Sequence, residues 1–425
     1  MTSPRMPGRP QVRKPATPAA EHHAPAAVVT VRRIFAAESA NYFLLLGTTV
    51  FLVVLGLVMV LSSSSVESYV NNDSNSFASF MRQGLYAIIG LPLMLIVSLI
   101  SPAFWKRWAW VALGVALAMQ LLVFTGLGGS GGGNRNWLDL GFVQAQPSEL
   151  IKLALIVWMA YVLSRKTALL DDWRHVVLPI GPVAGLAILL VLGGDDLGTA
   201  IIMLIIVFGS LFFAGVKLQH LLFAGTIIAT LGIAFALSGG SRARRITFWI
   251  QGCPPDDPLG VCWQSTHGFW ALASGSVFGV GLGNSKAKWS WLPAADNDFI
   301  FAIIGEELGL IGALVVLVLF IVLAIAFVRI FMSTTDVFTR VVTSGVMIWV
   351  VGQAFVNIAV VLGLLPVLGV PLPLISAGGS SLISTLVAIG VVLSFARQPR
   401  KEADEAVVQT PADRSRLAAS GRLAR

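Results

Sequence analysis

Charge is scarce in this sequence: of 425 residues only 12% are Asp, Glu, Lys or Arg, against 56% hydrophobic and a mean hydropathy of +0.83. So few charges cannot solvate the surface of a water-soluble fold this large, and the chain instead carries repeated apolar runs long enough to cross a bilayer. A dense basic patch is missing too. The formal charge is +8, yet Lys and Arg stand at the ends of apolar runs and in the two tails, which excludes a nucleic-acid footprint and reads as a topology signal. No cleavable signal peptide is visible, since the start is neither apolar nor followed by a small-residue cleavage pattern; the first span is expected to be its own insertion signal. Cysteine is limited to two residues, Cys253 and Cys262.

What is present is a series of ten apolar runs, at 41–61, 85–100, 108–127, 150–164, 176–192, 199–214, 221–237, 299–327, 341–362 and 381–396. The expected fold is therefore an all-α polytopic membrane protein of about ten transmembrane helices, with a long loop (238–298) between helices 7 and 8. An even number of spans puts both termini on one side. Arg32, Arg33, Lys106, Arg107, Arg165, Lys166, Arg174, Lys217, Arg329, Arg340, Arg397, Arg400 and Lys401 all fall on that side, which makes it cytoplasmic and the long loop extracytoplasmic. Residues 1–40, with Pro4, Pro7, Pro10, Pro15, Pro18 and Pro25 among small and basic residues, read as a disordered cytoplasmic tail, and 397–425 as a second one flanking the membrane domain at 41–396. Both cysteines lie in the extracytoplasmic loop, eight residues between them. A disulfide there would stabilise by about 2 to 3 kcal/mol, and two free thiols is the other reading.

Polar residues inside or beside spans are costly, so their positions carry information. In Gln146-Pro-Ser-Glu-Leu-Ile-Lys, Pro147 suits a first helical turn, and Glu149 and Lys152, three apart, share a helix face as an ion pair or a substrate contact. Asp196 caps the sixth helix or meets substrate. The long loop holds Arg242, Arg244, Arg245 and Gln264, and a basic group outside the membrane either neutralises a pyrophosphate on a lipid substrate or is a set of ordinary solvated charges. Its glycine run from Gly275 follows no strand, so it signals tight turns and close approach, not a nucleotide loop. The stretch from Gly363 to Ser381, broken by Pro366, Pro371 and Pro373, cannot be a spanning helix and is expected to dip back into the protein, carrying Ser376 and Ser380; Gln353 and Asn357, four apart, face the same interior. Glu306 and Glu307 require a partner or a proton if they face the bundle interior. Asp298, where the long loop meets the eighth span, is either an N-cap or a base.

Four motifs recur together: Gln146 to Lys152, Asp196-Leu-Gly-Thr-Ala, the stretch from Leu292 through Asp298 to Gly309, and Gly363-Leu-Leu-Pro through Gly378-Gly-Ser-Ser. In this order the chain resembles the SEDS family of bacterial cell-shape and division proteins, typified by FtsW and RodA, from about Asn41 to Ala396. The resemblance implies a ten-helix protein of the bacterial inner membrane that polymerises peptidoglycan from lipid II and works with a class B penicillin-binding protein and other division proteins. It places the family's essential aspartate on Asp298 and its helix-four Glu and Lys on Glu149 and Lys152. The sequence departs from the pattern at Ala294, Asp296 and Asn297, which replace Glu, His and Thr, at Gly194 and Asp195 before Asp196, at Asn136, where an Arg precedes Trp and Arg135 stands one place earlier, and at Ala377, usually Tyr. Asp298 is then the expected general base, with Glu149, Lys152, Arg245, Asp196, Gln264, Ser376 and Ser380 as substrate-binding candidates. Lys152, Arg245 or a divalent cation, magnesium or manganese, would receive the pyrophosphate. The long N-terminal tail points to the FtsW-like branch and the division septum. A lipid II flippase and a non-catalytic division scaffold are the competing readings; an enzyme concentrates polar residues at one face, whereas a flippase needs a polar path across the bilayer.

Overall fold

The computed structural model describes residues 40–71, 75–131, 134–139, 144–238, 240–252, 262–289 and 292–397. Residues 1–39 and 398–425 of the expected tails and Cys253 lie outside the described residues, as does the side chain of Arg242, while Ala40 opens the first helix and Arg397 donates to the Tyr42 hydroxyl. Cys262 is buried and disulfide-bonded. Ten long helices appear among the described residues: α1 (Ala40–Asn71), α2 (Ala78–Val97), α3 (Pro102–Leu122), α4 (Pro147–Arg165), α5 (Trp173–Leu192), α6 (Leu197–Phe213), α7 (Leu218–Ser238), α10 (Ile300–Met332), α11 (Val337–Val361) and α12 (Gly379–Ala396). Two shorter helices, α8 (Gly240–Gln251) and α9 (Trp263–Gly275), occupy the long loop. Seven of the ten are long and apolar enough to cross a membrane outright; α6 and the apolar part of α7 are shorter, and α3 carries Lys106 and Arg107 in its first turns. The architecture is that of a polytopic, mostly helical membrane protein. One element departs from the all-α expectation: Gly128–Gly131, Asn134–Asp139 and Gln144–Ala145 pair as a small antiparallel sheet, β1-β2-β3, between α3 and α4.

Helix α4 is the axis of the bundle. It is apolar all round, as a helix enclosed by others must be, and 15 of its 19 residues are buried. It packs against α3, α6 and α11, while α12 lies along α2 and α10 along α1. Pro147 occupies its first turn, where the missing N–H costs nothing.

Helix α10 is not continuous. At Gly309 the backbone turns to φ 68° and ψ −167°, a combination open essentially to glycine alone. The free groups on both sides of the break are satisfied by the glycine-rich loop: Val280 and Gly281 donate to the carbonyls of Glu306 and Glu307, and Leu310 and Ile311 donate to those of Ser276 and Val277. Irregular backbone near a membrane survives only when paired in this way. Beyond the break, residues 310–332 rise about 34 Å at 1.5 Å per residue, enough for the whole hydrocarbon core. Leu310, Leu314, Val318, Ile321, Ile325, Val328 and Met332 stand exposed along that stretch, as a lipid-facing stripe would.

The break also relocates Glu306 and Glu307, which a continuous helix would carry into the bilayer. They bind the loop: Glu306 accepts from the backbone N–H of Lys286 at 3.0 Å and from Ser274 and Ser285, and Glu307 accepts from Ser62, with Lys288 Nζ 3.7 Å away. Each has partners, and neither lines the cavity described below. A Cβ at position 309 would stand 2.4 Å from both Gly279 N and Val277 O. Gly309→Ala is therefore expected to cost roughly 3 kcal/mol or more, read as a lower thermal unfolding midpoint in detergent, while Gly232→Ala, in open space on α7, leaves it unchanged or slightly higher.

Candidate functional site

At the end of the bundle that carries the long loop, a cavity of about 3410 Å³ opens between the ends of α1 and α2, the small sheet, α4 to α8 and the 363–378 loop. Its wall has two chemistries. Along α5, α6 and α7 it is apolar, through Ile180, Ala184, Ile188, Leu204, Phe208 and Ala229, and continues to Phe213 and His220 near the cytoplasmic side. Polar and charged groups, among them Glu149, Lys152, Asp196, Arg245 and Asp298, gather at the outer end.

Asp298 stands in the loop before α10, outside the spanning segment. The N-cap position of α10 belongs to Phe299, and no side-chain bond caps that helix, so the capping reading of Asp298 fails. Its carboxylate faces the cavity, half-buried and without a hydrogen-bond partner, while its backbone is fixed: the Asn357 amide donates to the carbonyls of both Asp298 and Val370 at 2.7 Å. Desolvation by the surrounding protein pushes its pKa up to about 6; the charges of Asp196 and Asp296 push the same way, and Arg245 opposes them. Asp296 is likewise raised to about 6, first by desolvation and then by Glu67, with Arg82 opposing.

Glu149 and Lys152 form an ion pair of 2.8 Å with side chains 3% and 1% exposed. Lys152 Nζ also donates to Gln353 Oε1 at 3.2 Å and lies 4.7 Å from the centre of the Trp349 ring. The pair is thus structural and cavity-lining at once, and Glu149 Oε2 is a buried acceptor with no hydrogen bond. Asp196 does cap α6, accepting from Thr199 N at 2.8 Å, and also accepts from Gln146 Nε2 at 3.4 Å; burial raises its pKa. Arg245, on α8, lines the cavity without an ion pair, and Gln264 reaches it while donating to the Pro293 carbonyl.

Two candidates are not brought to the cavity wall. Ser376 is buried, donates to the Asn297 carbonyl at 2.7 Å and accepts from Leu372 N at 2.8 Å, so its hydroxyl is consumed in joining the 363–378 loop to the Asp298 loop. Ser380 accepts from Gln146 N and thereby holds the entrance of α4. Conversely, the cavity includes Glu67, Arg82 and Trp137, which sequence reasoning passed over. A signal existed for two of them. Glu67 is the only charge in α1, and Arg82 is a basic residue on the outer side, against the positive-inside bias. Among the described residues no three of His, Cys, Asp or Glu converge as metal ligands, so the donor set does not fit a divalent-cation site built from protein side chains alone.

Comparison with known proteins gives one consistent picture. A family model described as "Cell cycle protein", covering FtsW, RodA and SpoVE, matches residues 42–401. The probable peptidoglycan glycosyltransferase FtsW of Mycobacterium tuberculosis is 39% identical over 358 residues, 84% of this chain and 68% of that protein. Stage V sporulation protein E of Bacillus subtilis is 36% identical over 359 residues, 84% of this chain and 97% of its own. Among solved structures, a chain of a peptidoglycan synthase complex that coordinates polymerization and crosslinking superimposes with a TM-score of 0.68 at 27% identity, covering 84% of this chain and 98% of that one. The rod shape determining protein RodA of Thermus thermophilus gives 0.62 at 26%, covering 84% and 96%.

The buried ion pair makes a direct prediction. Lys152→Met leaves the Glu149 carboxylate buried and uncompensated, an expected loss of roughly 3 to 5 kcal/mol. The double substitution Glu149→Gln with Lys152→Met should recover most of it, giving a large coupling energy in a thermal-unfolding double-mutant cycle.

Proposed function

The chain belongs to the FtsW, RodA and SpoVE family of cell-cycle proteins, and from that membership we propose that it is a peptidoglycan glycosyltransferase that extends glycan strands from lipid II with Asp298 as general base. The observation that carries this reading is an aspartate that caps nothing, faces a large cavity at the membrane's outer boundary, and has its pKa raised to about 6.

In the reaction the 4-hydroxyl oxygen of the acceptor sugar attacks C1 of the donor sugar. The bond from C1 to the pyrophosphate oxygen breaks, the pyrophosphate leaves with the electron pair, and the hydroxyl proton passes to Asp298. Pyrophosphate is a good leaving group and needs charge stabilisation more than a proton, so one base and one cationic site suffice. Arg245, unpaired in the cavity wall, supplies the cation; Lys152 is already engaged with Glu149 and Gln353. The apolar groove along α5 to α7 suits the polyprenyl chain of the substrate, which would otherwise remain in the lipid.

Against a flippase stands the chemistry of that groove. It reaches the cytoplasmic side, but its middle is lined by Ile, Leu, Phe and Ala, which offer a sugar and pyrophosphate no polar path. A class B penicillin-binding protein is the partner this reading assigns, supported by the likeness to a complex that couples polymerization with crosslinking. The FtsW names among the relatives support the division branch, septal location and cytoplasmic termini.

Asp298→Asn keeps the size of the side chain and removes the base, so polymerisation of labelled lipid II in detergent should fall by about 100-fold or more, with folding yield unchanged; wild-type rates would overturn the assignment. Because Asp298 must be ionised to accept a proton, the rate should decline as pH falls through about 6. Asp196→Asn, which removes a charge that raises that pKa, should shift the acid limb to lower pH, and Arg245→Ala should shift it to higher pH, as read from initial rates across the acid range.

A further inference from the structure

Glycosyl transfer between two lipid-linked saccharides needs room for both, and the apolar groove with Arg245 at its mouth accounts for one. We propose, resting on the glycosyltransferase reading above, that Arg82 and Glu67 form the subsite for the acceptor saccharide in a different part of the same cavity. Both line it, and they come from the outer ends of α2 and α1, whereas Arg245 comes from α8, joined to α7 on the groove side. Among the described residues neither has a hydrogen-bond or ion-pair partner, which leaves a guanidinium with five donors and a carboxylate with two acceptor oxygens for a ligand. Such a mixed pair suits a neutral, hydroxyl- and amide-rich ligand better than an anion, because the acid offsets the charge of the arginine. Trp137 lines the same cavity and offers the apolar ring face against which a pyranose packs.

The subsite is held in register with the base. Gln83, next to Arg82, donates to the carbonyl of Ser376 at 3.0 Å and accepts from Gly378 N at 3.2 Å. Ser376 in turn donates to the carbonyl of Asn297, and Ala377 N donates to that of Asp296. Two hydrogen-bonded steps therefore connect the residue beside Arg82 to the residues flanking Asp298, and the charges of Glu67 and Arg82 both reach Asp296. That linkage is what an acceptor subsite requires, since the attacking hydroxyl must be placed within hydrogen-bond reach of the base.

The test separates donor from acceptor. Lipid II whose terminal 4-hydroxyl is blocked with galactose serves only as donor, and unmodified lipid II at varied concentration serves as the acceptor of the first coupling, with full-length protein and its partner. Arg82→Ala and Glu67→Gln should each raise the acceptor KM about tenfold, a loss of one to two hydrogen bonds, and leave the donor KM within about twofold. An equal rise in both constants, a fall in kcat alone, or a rise confined to the donor would overturn the proposal. Thermal unfolding of each variant guards against a folding defect, and Arg82→Lys should fall between wild type and Arg82→Ala. An acceptor stripped of its stem peptide must show the same Arg82 effect; if the effect vanishes, Arg82 binds the peptide carboxylate and the saccharide assignment is wrong. Absence of any coupled product with the wild-type protein would instead sink the glycosyltransferase reading itself.

Discussion

The site depends on one buried ammonium. Lys152 is held by Glu149, by Gln353 Oε1 and by the face of Trp349. Gln353 then spends its own amide on the carbonyl of Pro371, and Asn357, one turn along α11, spends its amide on Val370 and Asp298. A π-helical turn at Ile348–Gly352 lies immediately before Gln353, the kind of irregularity that resets which face of a helix carries its polar side chains. The central helix, the proline-broken loop and the Asp298 loop are thus joined by side-chain amides whose partners are fixed carbonyls. Without Lys152 the first of those amides loses its acceptor role and Glu149 is left as a bare buried charge, so the whole outer end of the bundle shares its fate.

Much of this was legible in the sequence, and the failures have physical causes. The run lengths give ten helices because bilayer thickness leaves little freedom, although the third begins at Pro102, whose place after Ser101 marks a helix start that hydropathy alone overlooks. The break at Gly309 was not legible. Its flanks are apolar without interruption, and what stabilises it is a loop some thirty residues earlier that supplies the missing backbone partners. The partners that Glu306 and Glu307 were expected to need are present, but that they belong to the glycine-rich loop was hidden for the same reason. Ser376 was recognisable as part of a motif, but a motif does not say whether a hydroxyl faces substrate or ties two loops together. Glu67 and Arg82 reach the cavity only through the packing of α1, α2 and α12, which no local pattern encodes.

The distribution of polarity decides between chemistry and transport more firmly than the number of spans does. A transporter must lower the cost of moving a charged headgroup through the hydrocarbon core, several kcal/mol for each unsatisfied polar group. Here the cavity is polar at the long-loop end and mostly apolar along α5 to α7, where Thr226 spends its hydroxyl on the Leu222 carbonyl and His220 stands at the far end. That arrangement lets a prenyl chain remain in a lipid-like setting while its headgroup stays at the outer surface. Glu306 and Glu307, the acids that would have supplied an intramembrane path, are occupied in pinning the glycine-rich loop at the same outer level.

On the glycosyltransferase reading proposed above, the electrostatics of the site answer two opposed demands. A stronger base needs negative or desolvated surroundings, and Asp298 has both in its partial burial and in the nearby Asp196 and Asp296. A departing pyrophosphate needs positive charge, and the same acids repel it. One rigid cluster cannot serve both ends well, because each cation added beside Asp298 lowers its pKa and each acid weakens anion binding. The structure separates the demands by carrier. The acids stand on the bundle and its tightly bonded loops, while Arg245 stands on α8, a helix outside the core that is tied to the bundle through Trp249 Nε1 and the carbonyl of Gly363 at 2.9 Å. Its field already reaches Asp298, so the cation is near enough to meet the leaving group yet rests on a different element from the base. A single compact cluster of charges would have forced a weaker base or a poorer pyrophosphate site.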